Sequence, residues 1–182
     1  MTTDQRALAL GSRLPDLSLP APDGQMHSAD SLLDSNRFLT IIFLANHCPY
    51  VSAWEDRIVA IANEFSNRHV AFAGISSNDV AKHPQDSQER MRRRAREKNY
   101  PFPYLYDEDG AVATAFGATR TPEVFVFDAD KRLRYHGAVD SDYEESAYMQ
   151  NYLREALDRL LTGQTVSTPE APLVGCVIET KG

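Results

Sequence analysis

Cysteine is nearly missing from this chain: Cys48 and Cys176 are the two among 182 residues. Two thiols cannot staple a disulfide scaffold. Long apolar runs are missing as well. No stretch approaches the ~20 apolar residues of a membrane helix, so no membrane partner is expected. The first residues, MTTDQRALAL, lack the apolar centre of a secretory signal. A cytoplasmic protein is therefore the expectation. Positive charge is in the minority, with 19 Lys and Arg against 26 Asp and Glu and a formal net charge of −7. Nucleic acid rewards a basic face, so no nucleic-acid partner is expected. Glycine-rich phosphate loops, Ser/His/Asp signatures and metal-ligand spacings among the five histidines and two cysteines are lacking. No metal and no cofactor are predicted.

What remains is an ordinary globular composition, 42% hydrophobic and 25% charged. Its length suits one domain over residues 1–182, with a core at about 11–163 and a C-terminal tail at 164–182. The most informative stretch is FLTIIFLANHCPYVSAW, Phe38 to Trp54. A β-branched apolar run ends in a short polar break, then cysteine, proline and a helical pattern. Cys48 is thereby predicted as a helix N-cap. Unpaired N–H groups and the positive dipole end gather there, and both favour a thiolate, which is the nucleophilic form. Pro49 suits the first helical position because its missing N–H costs nothing there.

Along the chain, Gly11 to Leu19 reads as an extended arm ending at Pro20, and Asp23-Gly24 as a turn. Ser28 to Leu33 reads as one helical turn. Phe38 to Ala45 is expected to be a central strand, apolar on both faces. Val51, Trp54, Ile58, Ile61, Ala62 and Phe65 recur at helical spacing within a helix over Pro49 to Asn67. Val70 to Ile75 completes a βαβ unit, and Ser76 to Gln85 is a loop. Asp86 with Glu89 has the form of a capping box, opening a helix to about Lys98. Its run ERMRRRAREK is predicted to be a solvated amphipathic helix with Met91 and Ala95 inward. Ala111 to Phe116 is a short helix closed by Gly117. Glu123 to Phe127 and Leu133 to Val139 form a hairpin. The stripe Leu153 to Leu161 is a last helix ending at Gly163, and the tail ends in the apolar run LVGCVI. Alternation early and a hairpin late give an α/β class: a mixed central sheet flanked by helices.

A strand, Cys-Pro-Tyr, a helix and a distant Thr121-Pro122 before a hairpin resemble the thioredoxin-like fold. The opening GSRLPDLSLPAPDG and the stretch YPFPYLYDEDGAVATAFGATRTPEVFVFD are similar to the redoxin group, which includes peroxiredoxins and thiol-disulfide reductases. The resemblance implies a cis peptide at Thr121-Pro122 beside the active thiol, and a substrate strand held by Thr121 backbone groups. It also implies positioning roles for Pro49, Tyr50, Arg120, Thr121 and Pro122. The chain departs from the group at named positions. Val51 stands where thioredoxins have their second cysteine. Ala45 and Ile41 stand where peroxiredoxins have a threonine and a proline, so the hydroxyl that would steer a peroxide is missing. Arg120 stands where relatives often have another cysteine.

The reading is a thiol oxidoreductase using Cys48, with disulfide exchange favoured over peroxide reduction. Since Val51 cannot resolve a mixed disulfide, the second thiol is Cys176, a small thiol such as glutathione, or a thiol of a partner protein. Cys176 has two readings: a resolving thiol on a tail that swings to its own site or reaches a partner in a homodimer, or a packed residue of a strand covering a sheet edge. Arg120 either faces Cys48 or is a solvated arginine. His47 adjoins Cys48 but points to the opposite side of an extended chain, so a direct acid–base role is the lesser reading. The competing class is a non-catalytic binding module with a vestigial cysteine.

Overall fold

The computed structural model describes residues 6–144, 147 and 149–182. The N-terminal arm doubles back around Asp23-Gly24, pairing β1 (Ser18–Pro20) antiparallel with β2 (Met26–Ser28). Ser28 caps α1 (Ala29–Leu33), and its side chain and that of Ser31 each accept the other's backbone N–H. Next come β3 (Phe38–Phe43), α2 (Pro49–Ser66) and β4 (Val70–Ser76), with β4 parallel to β3 as the βαβ reading requires. α3 (Gln88–Glu97) leads to β5 (Tyr104–Tyr106), parallel to β4. α4 (Ala111–Phe116), the short β6 (Arg120–Thr121) and β7 (Glu123–Asp128) follow. β7 lies antiparallel to β3, and β8 (Leu133–Gly137) lies antiparallel to β7. α5 (Tyr152–Leu161) and β9 (Cys176–Val177) close the chain. The main sheet has the order β5-β4-β3-β7-β8, and β6 pairs with β9 apart from it.

Strand alternation divides the core. Phe38 and Ile42 of β3 and Val124 and Val126 of β7 face a cluster built with Trp54, Ile58 and Phe65 of α2 and Leu153 and Leu157 of α5. Leu39, Ile41 and Phe43, with Phe125 and Phe127, face the other cluster, formed with Leu14 and Leu17 of the arm and Phe116 of α4. Each fully buried apolar side chain is worth ~1.5–3 kcal/mol of transfer free energy, which fixes β3 as the strand covered on both faces. Helices on both faces of a mixed sheet make this a thioredoxin-like α/β fold, as the sequence indicates.

Several local readings change. β3 ends at Phe43, two residues short of the apolar run, although Leu44 and Ala45 stay buried. The hairpin's second strand ends at Gly137 rather than Val139. Tyr104–Tyr106 is a strand that the two prolines just before it, Pro101 and Pro103, concealed, because its pairing partner β4 is distant in sequence. Asp86 does not cap α3. Ser87 does, its hydroxyl accepting the Arg90 N–H at 3.4 Å, while Asp86 turns inward and is fully buried. The arginine-rich helix packs as expected, with Met91 buried and Arg94 forked onto the buried Glu55 of α2 at 2.8 and 3.0 Å.

Candidate functional site

Cys48 is the N-cap of α2, with extended backbone angles (φ −81°, ψ 118°), and Pro49 opens the helix. The Cys48 carbonyl accepts the Ser52 N–H at 3.1 Å, so the first turn starts at the cysteine itself. Its side chain is 0% exposed. Sγ lies 3.3 Å from the Thr121 carbonyl oxygen and 2.7 Å from Cys176 Sγ. Both cysteines are free thiols. The Thr121-Pro122 peptide is cis, as the resemblance implies, and both residues are buried.

Two separate devices hold this geometry. The first is Asp86. One carboxylate oxygen accepts the Asn46 and His47 backbone N–H groups at 2.6 and 3.2 Å. The other meets His47 Nδ1 at 2.6 Å and the Asn78 side-chain amide at 3.1 Å. A buried carboxylate with four donors is fully satisfied, and it freezes the turn that delivers Cys48. His47 is thereby directed to Asp86 rather than to Cys48, and its ring stacks on His83 with centroids 3.9 Å apart. The second device is the buried Glu123. Its Oε2 accepts the Thr119 and Arg120 N–H groups at 2.8 and 2.9 Å, and its Oε1 meets His136 Nε2 at 2.6 Å. Glu123 thus fastens the loop before Thr121. Neither acid stands out as a site residue in the sequence. Asp86 has the form of a helix cap with Glu89, Glu123 is a lone Glu at a strand start, and neither points to the site until the fold shows which N–H groups surround it.

The tail completes the site. β9 pairs antiparallel with β6, in register Thr121↔Cys176 and Arg120↔Val177. This register delivers Cys176 onto Cys48. Burial raises the Cys176 thiol to about 12, with the hydrogen bond to Cys48 and the Cys48 charge acting in the same direction. The Tyr50 backbone amide and the Arg120 charge act the other way. Arg120 is exposed, and the thiol its charge reaches is Cys176. Pro49 is exposed and Tyr50 half-buried, its ring edge-on to Tyr143 at 5.3 Å. Of the seven residues named from the sequence, Cys48, Cys176 and Thr121 are brought into contact, with Pro49, Tyr50, Arg120 and Pro122 beside them along the chain; Asp86, Glu123 and His83 join from the structure.

Comparison with known proteins agrees with this geometry. The chain is 32% identical to a hypothetical protein of Sinorhizobium meliloti 1021 over 97% of both chains, with a TM-score of 0.90. It is 36% identical to an uncharacterized conserved protein of Geobacillus kaustophilus, covering 95% of this chain and 93% of that one, with a TM-score of 0.89. Peroxidoxin BcpB of Mycobacterium tuberculosis shares the fold at 21% identity, with 85% and 95% covered and a TM-score of 0.62. No curated protein matches. The profile of the AhpC/TSA family matches residues 10–136, which hold the central strand, the Cys48 turn and the Thr121-Pro122 loop, and the chain belongs to that family.

Proposed function

We propose that this protein is a thiol–disulfide oxidoreductase that works through Cys48 and Cys176. The observation that carries the reading is the 2.7 Å separation of the two sulfurs, made by pairing the tail with the Thr121 strand. The cycle starts when Cys48 thiolate attacks one sulfur of a substrate disulfide. A Cys48–substrate disulfide forms and the other substrate thiolate leaves. Cys176, giving up its proton, then attacks Cys48 Sγ. The Cys48–Cys176 disulfide forms and the second substrate thiol is released. The substrate gains two electrons from the enzyme, one proton from Cys176 and one from solvent, to which Cys48 released its own on ionising. Glutathione or a protein dithiol, as found in the cytoplasm, returns the enzyme to its dithiol form. No second subunit is needed for resolution, because the tail reaches Cys48 of its own chain.

The raised Cys176 thiol keeps its proton at neutral pH, which suits it to the second, resolving step rather than to the first attack. Pro49, Tyr50, Arg120, Thr121 and Pro122 flank the pair, and a substrate strand would take over the Thr121 backbone pairing that β9 holds. Peroxide reduction is the weaker chemistry, because Ala45 supplies no hydroxyl to orient a peroxide. The test is intact mass and non-reducing peptide mapping after one equivalent of oxidised glutathione. Wild type should yield a linked Cys48–Cys176 peptide, and Cys176→Ser should stop at a Cys48–glutathione adduct. Accumulation of that adduct in wild type, with Cys176 free, would remove Cys176 from the cycle. Absence of any Cys48 adduct would instead favour the binding-module reading.

A further inference from the structure

The strand slot at Thr121 is already filled. Its occupant is the chain's own tail. Gly175 lies so close to Thr121 that a Cβ there would sit 2.2 Å from the Thr121 carbonyl oxygen and 2.9 Å from its carbonyl carbon. No side chain fits at that approach, so glycine is what lets the strand seat and sets Cys176 over Cys48. Past β9 the tail is tied down on both sides of the site. Ile178 N–H donates to the Thr119 carbonyl at 3.0 Å. Glu179 N–H donates to Asn78 Oδ1 at 2.8 Å, Asp79 N–H donates to the Glu179 carbonyl at 2.6 Å, and the Glu179 carboxylate pairs with the His83 imidazole.

These ties are polar and few, with Lys181 reaching Glu108 as one more, and the apolar packing of the tail is partial, Cys176 and Ile178 touching the core while its two valines stay open. Val174 is 46% exposed and Val177 54%. A hydrogen bond exchanged for one with water contributes little net stability, which puts such a segment at the locally opening end of a protein's stability range. Cys48 beneath it is 0% exposed. A disulfide in a polypeptide cannot reach Cys48 Sγ while the tail is seated.

We infer that Leu173 to Lys181 is a displaceable strap occupying the substrate-strand slot, so that Cys48 reacts from an open state. We infer further that the slot selects extended polypeptides with a small residue just before their reacting cysteine. The gate stands on geometry alone, whereas the selectivity rests on the thiol–disulfide reading. The strap is the template: its Gly175-Cys176 order is what fits against Thr121. A polypeptide taking its place would pair with Arg120 and Thr121 as β9 does, and a bulky residue at the Gly175 position would meet the same carbonyl.

The full-length Gly175→Ala variant tests both parts, since it blocks seating while keeping both cysteines and every tie residue. Initial rates of Cys48 labelling by N-ethylmaleimide, resolved by peptide mass, should rise at least tenfold over wild type, with the melting temperature of the core nearly unchanged. If Gly175→Ala does not fold, Glu179→Ala loosens the same strap and should give a several-fold rise. Equal Cys48 labelling in wild type and the folded variant overturns the gate. For selectivity, the probes are synthetic peptides LVGCVIET and LVVCVIET, each with its cysteine as a mixed disulfide with thionitrobenzoate. Cys48 thiolate attacks the peptide sulfur, forms the Cys48–peptide disulfide and releases coloured thionitrobenzoate. In Gly175→Ala the glycine peptide should react at least tenfold faster than the valine peptide, and equal rates overturn the selectivity. Faster maleimide labelling with no transfer from either peptide supports the gate and counts against both the selectivity and the oxidoreductase reading.

Discussion

The two thiols lie 2.7 Å apart and are held in opposite ways. Cys48 ends a turn frozen by a buried carboxylate and starts an 18-residue helix packed on the sheet. Cys176 sits on a two-residue strand at the end of a partly exposed tail, kept in place by backbone pairing and exposed polar contacts. Moving Cys48 means disrupting the core. Moving Cys176 means breaking a handful of hydrogen bonds. A dithiol built from one fixed and one displaceable partner can close without reorganising the rest of the molecule, because only the light partner has to travel.

The comparison breaks most sharply at Cys48. Cys48→Ser should lower turnover of a disulfide substrate to the uncatalysed background; retention of most activity would mean that Cys48 is not the nucleophile. Next in size is the support beneath it. Asp86→Ala strands the Asn46 and His47 N–H groups and the His47 ring, and should cost about 3 kcal/mol, read as a lower midpoint in urea unfolding. A loss under 1 kcal/mol would mean that the Cys48 turn holds itself.

A third measurement addresses Cys176 directly. Its thiol is raised to about 12, first by burial and then by Cys48, so its iodoacetamide labelling should keep climbing through pH 9 to 11. A thiol in an unfolded chain would pass its midpoint near ~8.5 and level off about one to two pH units above it. The same shift fixes a sign: the folded state holds this proton to higher pH than the unfolded chain. The associated stabilisation is present below ~8.5 and is lost as pH rises toward the folded value. A labelling plateau at the ordinary thiol value would show that the strap does not bury Cys176.

The smallest effect is expected at the strap's outer tie. Glu179→Gln removes the carboxylate charge facing His83 at an exposed contact, where solvent screens the interaction. Its urea midpoint should stay within error of wild type, in contrast to Asp86→Ala. A loss comparable to that of Asp86→Ala would mean that the tail belongs to the cooperative core, and the contrast between the two thiols would disappear.

By itself the sequence determined what depends on neighbours along the chain. A nearly continuous apolar, β-branched run made Phe38 to Ala45 a strand buried on both faces, which the fold ends at Phe43, and helical spacing made Val51 to Phe65 one buried stripe. The Cys48-Pro49 order set the nucleophile at a helix start, since capping and proline geometry are decided within one turn. The resemblance supplied the cis peptide at Thr121-Pro122. Only the tertiary structure decided the rest. Asp86 resembles a helix cap when just Glu89 three residues on is visible, and becomes the prop of the Cys48 turn once the fold brings Asn46 and His47 to it. Tyr104–Tyr106 is a strand because β4 is beside it. Cys176 could be a packed strand residue or a thiol brought to Cys48 or to a second subunit, and its position, on a strand paired with Thr121 and beside the Cys48 sulfur, comes only from the fold. Two residues of strand carry too little periodicity to be read, and a pairing between positions 121 and 176 is fixed by packing between distant segments rather than by local preference.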